Sequence, residues 1–460
     1  MKDRDYTHAV QIDTGKCVGC SHCMQVCPTQ AIRIAEGHAG IIPERCVDCG
    51  ECYRVCPVKA VDVEDDGLPA INRDGYRVAL VPSVFIGQFP SEHTASEIME
   101  AVRQIGFDEV LEVEQAVDFM KGVYAEVAAK EDIAVRPVIS SFCPAIVRLI
   151  QVQYPSLTGQ ILPIKAPHDI AALYVRRSKA KAGVDPRSIF ICYITPCAAK
   201  IVAAKAPVGE KISAIDGVID MKEVYNLVSM RLMERKDTQL SKQYANMSPD
   251  SVNWSLSGTE KRYFPGRALA IDGMENAMEF LDRLESGRVT GVDFLEMRAC
   301  DQGCAGGILC PGNRFLTVER LEQRERKLTL LTERSGAGRN SLMDYAEALR
   351  GESATDQVYP RAGLLLDEDM EIALHKMERI KRLSTYLPGF DCGACGAPTC
   401  RSLAEDIVRD KATISYCVFV QRVMEKNYNL SPDQSFHVIE RIWGRDRLNK
   451  YQQQHGKTNT

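Results

Sequence analysis

The sequence predicts an α/β domain built on parallel sheets, preceded by a small α+β domain and followed by a small, mainly helical module. Three observations lead to this prediction. Apolar, strand-like runs alternate with helical periodicity through the middle of the chain, which is typical of parallel-sheet units. Two identical four-cysteine runs stand near the N-terminus. A further cysteine group stands near the C-terminus.

The N-terminal domain, over 1–64, is predicted from one cysteine spacing that occurs twice. Cysteines 17, 20, 23 and 27 precede Pro28, and cysteines 46, 49, 52 and 56 precede Pro57 at the same intervals. This is the spacing of bacterial ferredoxins with two 4Fe–4S clusters, in which the fourth cysteine of each run ligates the other cluster. One cluster is therefore expected on Cys17, Cys20, Cys23 and Cys56, and the second on Cys46, Cys49, Cys52 and Cys27. Zinc is the alternative, but it usually takes two separated cysteine pairs.

The middle domain is predicted over 75–335, after a linker at about 65–75. Its first elements are a strand over 77–83, a helix over 96–106 and a strand over 109–113. Three further strands each lead into a cysteine loop: 135–140 into Cys143, 188–195 into Cys197, and 295–298 into Cys300 and Cys304. Helices are expected over 145–153 and 274–284, the latter after a strand over 268–271. Ligands commonly bind at the carboxyl ends of parallel strands, where these cysteines lie.

The last part of the chain is predicted as a helical linker (336–384), a cluster-binding module (385–430) and a polar tail (431–460) with one amphipathic helix around 436–443. The module contains four cysteines, Cys392, Cys395, Cys400 and Cys417. Their spacing resembles the small cluster-binding module of corrinoid iron–sulfur proteins and of some electron-transfer subunits. That resemblance implies a third 4Fe–4S cluster.

Composition excludes several classes of function. A net charge of −5 with evenly mixed signs gives no basis for nucleic-acid binding. No apolar run reaches the ~18 residues of a membrane-spanning helix, and the polar start of the chain lacks the apolar core of a secretory signal. We therefore expect a cytoplasmic protein without membrane insertion. The eighteen cysteines fall in metal-type groups, which favours reduced, iron-binding thiolates over the alternative of a disulfide framework.

Three stretches of the middle domain resemble the three signature loops of the catalytic domain of iron-only (FeFe) hydrogenases: residues 140–144, 195–200 and 296–307. The resemblance implies that Cys143, Cys197, Cys300 and Cys304 bind a 4Fe–4S cubane. It also implies that Cys304 bridges the cubane to a two-iron subsite carrying carbon monoxide and cyanide, the two parts together being the H-cluster. Lys200 falls where the family has a lysine that hydrogen-bonds a cyanide ligand. Glu296 falls at an acidic position, with a role in proton transfer or in loop hydrogen bonding.

The match to the family fails at positions that matter for proton transfer. Phe142 replaces a proton-shuttling cysteine, Ala203 replaces a glutamate of the relay, and Arg298 replaces a methionine next to the cluster. Ser140, Ser141 and Thr195 are further departures. Losing one positioned acid–base group typically costs 10²–10⁴-fold in rate. Slow proton delivery is therefore expected unless Ser141, water or Glu296 provides another route.

Retained ligands with a lost relay resemble the low-activity, hydrogen-sensing branches of the family. The leading hypothesis is reversible reduction of two protons by two electrons to H2 with weak turnover, for sensing or slow hydrogen metabolism. Two alternatives stay open: a multi-cluster electron-transfer subunit without the two-iron subsite, and reduction of another small molecule at a modified site. The expected partners are H2 and protons, an electron carrier such as a ferredoxin or redox subunit, and, for a sensor, a separate signalling protein.

Three other residues have ordinary structural interpretations. Cys192 lies inside an apolar strand and is interpreted as a buried structural thiol. Cys310 is either an unliganded loop cysteine or a replacement for the missing proton donor. His168 is interpreted as structural.

Overall fold

The computed structural model describes residues 8–72, 74–129, 136–234, 246–335, 338–361, 366–367 and 369–448. Residue 135 of the predicted strand over 135–140, residues 336–337, 362–365 and 368 of the predicted linker, and residues 449–460 of the predicted tail lie outside the described residues. The chain forms two compact units. The smaller unit takes the chain up to Cys46, Gly50–Val63 and the chain from Arg361 onward, and the larger unit takes Val47–Cys49 and Glu64–Pro360.

The N-terminal elements reflect the repeated cysteine spacing. They are β1 (Val10–Ile12), α1 (His22–Gln25), β2 (Ile32–Ala35), β3 (His38–Ile41), α2 (Glu51–Val55) and β4 (Val61–Val63). Strands β1 and β4 pair antiparallel, as do β2 and β3. Helices α1 and α2 occupy equivalent places in the two cysteine runs and contain Cys23 and Cys52. This arrangement is the small α+β domain expected from the sequence.

The larger unit contains two parallel sheets with helices around them. Its elements are β5 (Tyr76–Val81), α3 (Ser83–Ile86), α4 (Ala95–Gln104), β6 (Glu109–Glu112), α5 (Val117–Ala129), β7 (Val138–Ile139), α6 (Pro144–Gln153), α7 (Pro167–Lys181), β8 (Ile189–Thr195), α8 (Ala198–Lys205), β9 (Gly217–Asp220), α9 (Met221–Glu234), β10 (Ala268–Asp272), α10 (Met274–Glu285), β11 (Phe294–Arg298), α11 (Arg314–Ser335) and α12 (Ala346–Arg350). One sheet has the order β6-β5-β8-β9 and the other β10-β11-β7. Every pairing in both sheets is parallel, which confirms the predicted fold class.

Each sheet of the larger unit contributes to a hydrophobic core. All seven residues of β8 are buried, as expected for a central parallel strand covered on both faces. Cys192 is one of them and is completely buried. The core of the four-stranded sheet also contains Phe85, Met99 and Val224, and the core of the three-stranded sheet contains Ile139, Leu149 and Leu295. These cores fix the strands whose ends carry the cysteine loops.

The C-terminal helices belong to the smaller unit. They are α13 (Met370–Tyr386), α14 (Cys400–Val408), α15 (Val418–Lys426), α16 (Pro432–Trp443) and α17 (Arg445–Leu448). The backbone N–H of Ile34 in β2 donates to the carbonyl of Gly396 at 2.8 Å, and that of Glu36 donates to the carbonyl of Arg441 at 2.8 Å. The segment predicted as a polar tail therefore begins with a helix that is anchored to β2. The domain boundaries themselves stay a prediction.

Within the described ranges, no helix combines the length and apolar character needed to cross a membrane.

Candidate metal centre

The four cysteines of the middle domain all follow the carboxyl ends of parallel strands. Cys143 comes after β7 and caps α6, and Cys197 comes after β8 and caps α8. Cys300 and Cys304 follow β11 in one loop. The hydroxyl of Thr195 donates to the carbonyl of Cys197 at 3.1 Å and accepts its N–H at 3.3 Å, so this departure from the family pattern shapes the second loop.

Cys143 and Cys304 lie close enough to Cys197 to influence its ionisation. Burial raises the pKa of the Cys197 thiol to about 12, and nearby Cys304 and Cys143 add to the shift while Lys200 opposes it. Bound cationic iron would reverse this balance, because a metal deprotonates the thiols that coordinate it. Cys300 shares the loop of Cys304. Cys143, Cys197, Cys300 and Cys304, called the cage below, therefore fit a cluster with four thiolate ligands.

Glycines allow the third loop to close against the second. A Cβ atom added to Gly307 would lie 2.3 Å from the carbonyl oxygen of Pro196, and one added to Gly306 would lie 2.1 Å from that of Asp301. The N–H of Leu309 donates to the same Pro196 oxygen at 3.0 Å. These contacts hold the loop of Cys304 beside the residue that precedes Cys197.

Lys200 lies on α8 and is buried beside the candidate bridging ligand. Its Nζ is 3.5 Å from the Sγ of Cys304, and its side chain is only 3% exposed. Burial by itself lowers the pKa of Lys200, but the thiolates of Cys304 and Cys197 and the phenol of Tyr193 outweigh it, so the pKa is raised. The ammonium group therefore stays charged at the edge of the ligand cage.

Phe142 lies between two cations next to the cage. The Nζ of Lys200 is 4.2 Å from the centroid of its ring, and the Cζ of Arg298 is 4.3 Å from the same centroid. Trp254 and His168 contact the ring edge-on. A phenyl ring has no proton to exchange, so the residue before Cys143 cannot relay protons.

Glu296 is held by two backbone N–H groups and lies near Arg298. It accepts the backbone N–H groups of Gly258 at 3.0 Å and Lys261 at 2.9 Å, and it lies 3.4 Å from Nη2 of Arg298. Burial raises the pKa of Glu296, Arg298 opposes the shift, and Glu260 adds to it. These contacts favour the loop-bonding role over proton transfer.

Glu260 is a site residue that sequence reasoning missed. Its carboxylate is completely buried, lies 2.7 Å from Nη2 of Arg298, and accepts hydrogen bonds from the hydroxyls of Ser140 and Tyr124. Glu260 follows Thr259 in a stretch with no cysteine and no clear periodicity. No local pattern connects it to Arg298, almost forty positions away. The one available signal was the buried-strand position of Arg298 itself, which requires an anionic partner.

A small cavity of about 80 Å³ is lined in part by Phe142. Ala203, His168 and Asp169 contribute to its lining. His168 is buried and stacks on Tyr193 with ring centroids 5.0 Å apart, and its Nδ1 has no hydrogen-bond partner among the described residues. Burial and nearby Lys200 lower the pKa of His168 well below its usual value, whereas burial raises the pKa of Asp169 to about 6.

Two further residues bear on alternative proton routes. The hydroxyl of Ser141 donates to the carbonyl of Ile164 at 2.9 Å, so its proton is committed to the backbone. Cys310 lies beside the third loop. Its Sγ is 3.4 Å from the carbonyl oxygen of Cys304 and 3.8 Å from the sulfur of Met221. It contacts the backbone of a ligand cysteine and is partly buried.

Several cysteines of the smaller unit lie near one another. Cys23 has Cys17, Cys20 and Cys56 as electrostatic neighbours, and burial followed by these thiolates raises its pKa to about 12. Cys52 has Cys27 among its neighbours. Backbone N–H groups point at the sulfurs: that of Ala31 is 3.2 Å from Cys27 and that of Ala60 is 3.2 Å from Cys56. Crowded thiols with N–H donors fit iron–sulfur clusters.

The C-terminal cysteines also lie together. Burial raises the pKa of Cys395 to about 11, and the thiolates of Cys417 and Cys392 contribute to the shift. Cys400 begins α14, and its N–H donates to the carboxylate of Asp391 at 2.6 Å. Cys392 is exposed whereas Cys417 is buried, so this group lies at the surface of the smaller unit.

Three family models match the chain. The model described as "Iron only hydrogenase large subunit, C-terminal domain" matches residues 77–261 and 253–308, half of the chain. A 4Fe-4S dicluster domain matches residues 9–57, and a family of Fe-S cluster segments matches residues 387–419. The hydrogenase match contains all four cage cysteines.

Curated relatives and solved structures carry the same family name. Iron hydrogenase 1 of Clostridium pasteurianum is 28% identical over 162 residues, which is 33% of this chain and 28% of that protein. The periplasmic [Fe] hydrogenase large subunit of Nitratidesulfovibrio vulgaris is 32% identical over 217 residues, 43% of this chain and 52% of that protein. The chain thus spans about a quarter to a half of the length of these relatives.

A variant of the [FeFe]-hydrogenase from Chlamydomonas reinhardtii aligns with 64% of this chain and 98% of its own, at 17% identity and a TM-score of 0.49. Because the large-subunit model extends over half of the sequence, this chain belongs to the iron-only hydrogenase family.

Proposed function

We propose that this chain binds three 4Fe–4S clusters and an H-cluster, and that it interconverts H2 with two protons and two electrons at a low rate. Such a protein would serve hydrogen sensing or slow hydrogen metabolism. One observation carries the proposal. The cage keeps four cysteines and Lys200, while Phe142 blocks the position from which protons would be exchanged. We place the protein in the cytoplasm, with an electron-carrier protein as its redox partner.

In this proposal Cys143, Cys197, Cys300 and Cys304 would hold the cubane, and Cys304 would also hold the two-iron subsite. That subsite, when bound, supplies the chemistry that splits or forms H2. Lys200 would bind and orient the subsite at the edge of the cage, because its buried ammonium group lies 3.5 Å from the Sγ of Cys304. Arg298, Glu260 and Ser140 fix the loops through a buried ionic network.

Phe142 controls access of protons and water. Its ring is 5% exposed and lines the cavity to which Ala203 and Asp169 also contribute. A proton held at Asp169 therefore has no exchangeable group at position 142 through which to reach the cage. Removing a positioned proton donor typically slows a reaction by 10²–10⁴-fold. Weak turnover follows from the residues that surround the cage.

The second candidate is a multi-cluster electron-transfer protein without the two-iron subsite. The observation that favours it is the crowding beside the cage, where Phe142 and two cations occupy space next to Cys304. Both candidates share the four cage cysteines and the cubane. They differ in the two additional iron atoms and in reaction with H2.

The two candidates are separated by iron and H2 assays on protein matured anaerobically together with the enzymes that build the two-iron subsite. The proposal predicts two iron atoms more than in protein given iron and sulfide alone, together with slow but measurable H2 oxidation. A Cys304→Ser variant is the matched control and should show neither. Equal iron contents with no H2 reaction would support the electron-transfer candidate instead.

A further inference from the structure

Arg298 is a buried cation whose hydrogen bonds are incompletely accounted for. Its side chain is 1% exposed, and its Nη2 lies 2.7 Å from Glu260 and 3.4 Å from Glu296. None of its three nitrogens, Nε, Nη1 and Nη2, has a hydrogen-bond partner among the described residues, so the contacts with the two carboxylates are ion pairs. Buried guanidinium groups ordinarily have their N–H groups paired, because leaving them unpaired costs free energy. These N–H groups therefore call for an acceptor.

The position of Arg298 indicates where that acceptor lies. It is the last residue of β11, two positions before Cys300. Its guanidinium packs on the ring of Phe142, which precedes Cys143, and the thiolates of Cys304 and Cys143 are near enough to stabilise its charge. Arg298 therefore lies beside two of the three loops that form the cage.

The carboxylates near Arg298 have hydrogen-bond donors of their own. Glu260 accepts from the hydroxyls of Ser140 and Tyr124, and Glu296 accepts from two backbone N–H groups. Neither carboxylate therefore depends on Nε or Nη1 of the guanidinium. These two donors stay available to a group held in the cage.

We propose that Arg298 donates hydrogen bonds into the cage of Cys143, Cys197, Cys300 and Cys304 and that its fixed charge raises the reduction potential of the cubane held there. Hydrogen bonds to cluster sulfurs and nearby positive charge both favour the reduced, more negative state. The effect is strong here because the site is buried and the effective dielectric constant is low. Arginine cannot lose its proton in a protein, so the contribution is constant with pH.

The inference rests on the proposed function only in taking these four cysteines to hold a cubane. It needs neither the two-iron subsite nor turnover. A positioning role of this kind predicts a change in potential, whereas a purely structural role predicts a change in cluster content or stability without one.

The test is an EPR-monitored redox titration of the full-length protein, reconstituted anaerobically with iron and sulfide alone. Arg298→Met should lower the midpoint potential of one cluster by at least the equivalent of a tenfold change in its reduction equilibrium, ~59 mV for one electron. The other clusters are internal references and should not shift. Arg298→Lys, which keeps the charge but not the guanidinium donors, should show a smaller change.

Two double variants control for the structural effect of removing a buried arginine. Arg298→Met with Glu260→Gln also removes the carboxylate nearest to Arg298, leaves Glu296 with its two backbone N–H donors, and should shift the potential in the same direction, though less. Arg324→Met with Glu112→Gln removes another buried arginine–glutamate pair, whose charged neighbours do not include a cysteine, and should leave every midpoint unchanged. Unchanged midpoints in both Arg298→Met variants with full iron content would overturn the inference. A missing cubane signal in the wild-type protein would instead refute the proposed function.

Discussion

At the scale of single residues, the sequence indicated the candidate ligand cysteines but not their surroundings. Cysteine spacing and adjacent motif residues marked the cage, because each ligand lies in a recognisable local string. The partners of Arg298 could not be predicted, because Glu260 comes from a distant segment and only the fold brings the two charges to 2.7 Å. Phe142 was recognised as a lost proton donor, but its contacts with two cations needed the structure.

The account predicts that Phe142→Cys increases the rate of H2 turnover. The new thiol would place an exchangeable proton between the cavity of about 80 Å³ and the cage, and we expect a gain of about 10²-fold. H2 evolution from a reduced viologen dye measures the effect. Phe142→Ala opens similar space without a thiol and should stay slow. Equal gains in both variants would show that space, and not proton transfer, limits the rate.

At the scale of elements, strand alternation predicted parallel-sheet units and the places of their loops, but not their division into two sheets. The long strand β8 was evident in the sequence because it is a nearly continuous apolar run, and the structure buries all of its residues. Strand β9 and the turn over Val113–Ala116 were not predicted, because they are short and depend on packing against neighbours. The close contact of the second and third loops was also beyond the sequence, since Gly307 alone does not reveal which carbonyl it faces.

Substituting Gly307 should disturb the cage selectively. Its φ of −58° suits any residue, so the effect of Gly307→Ala is steric: the new Cβ would lie 2.3 Å from the carbonyl oxygen of Pro196. We expect the Cys197 and Cys304 loops to separate and iron to be lost from this cage alone, as measured by iron content and EPR. Gly351→Ala is the control, because its new Cβ would lie 3.8 Å from the nearest atom, the carbonyl oxygen of Ala348. Full iron retention in Gly307→Ala would contradict the described loop packing.

A buried carboxylate after β6 predicts how stability depends on pH. Burial, followed by the nearby charge of Glu112, raises the pKa of Glu114 to about 8 from an ordinary value of 4.5. The folded protein therefore holds a proton that the unfolded chain releases above about pH 4.5. The free energy of unfolding should fall as pH rises through this window, by up to ~1.4 kcal/mol per pH unit.

Glu114→Gln should remove this component, so that its stability relative to the wild type improves between pH 5 and about pH 8. Anaerobic denaturant titrations followed by circular dichroism provide the measurement. Glu279→Gln, at an exposed carboxylate on α10, is the control and should follow the wild-type pH profile. A constant difference between Glu114→Gln and the wild type at all pH values would refute the assignment.

At the scale of the whole molecule, both ends of the chain contribute to the smaller unit. Arg33 forms an ion pair with Asp406 at 2.5 Å, and the N–H of Gly37 donates to the carbonyl of Ile442 at 3.0 Å. The sequence showed the two cluster modules but not this association, because no local pattern records contacts between segments hundreds of residues apart. The amphipathic helix near the C-terminus could be predicted, but the surface it covers could not.

Trp443→Ala should destabilise the smaller unit, because Trp443 packs against the core that contains Met24 and Ile32. We expect a loss of about 2–3 kcal/mol, somewhat below the cost for a fully buried tryptophan. The loss of cluster absorbance in anaerobic guanidinium titrations measures this decrease in the free energy of unfolding. Phe436→Ala, at an exposed position of the same helix, should change stability by less than ~0.5 kcal/mol. Similar small effects for both variants would mean that α16 contributes little to the unit.

The central claim is that a cage with intact ligands holds a hydrogen-reactive two-iron subsite while Phe142 limits proton delivery. Infrared spectroscopy of the matured protein, with and without H2, tests it most directly. The account predicts carbon monoxide and cyanide stretching bands that shift when H2 is added. If the same maturation system activates a control hydrogenase but this protein shows no such bands, the two-iron subsite is absent and the chain is an electron-transfer member of its family.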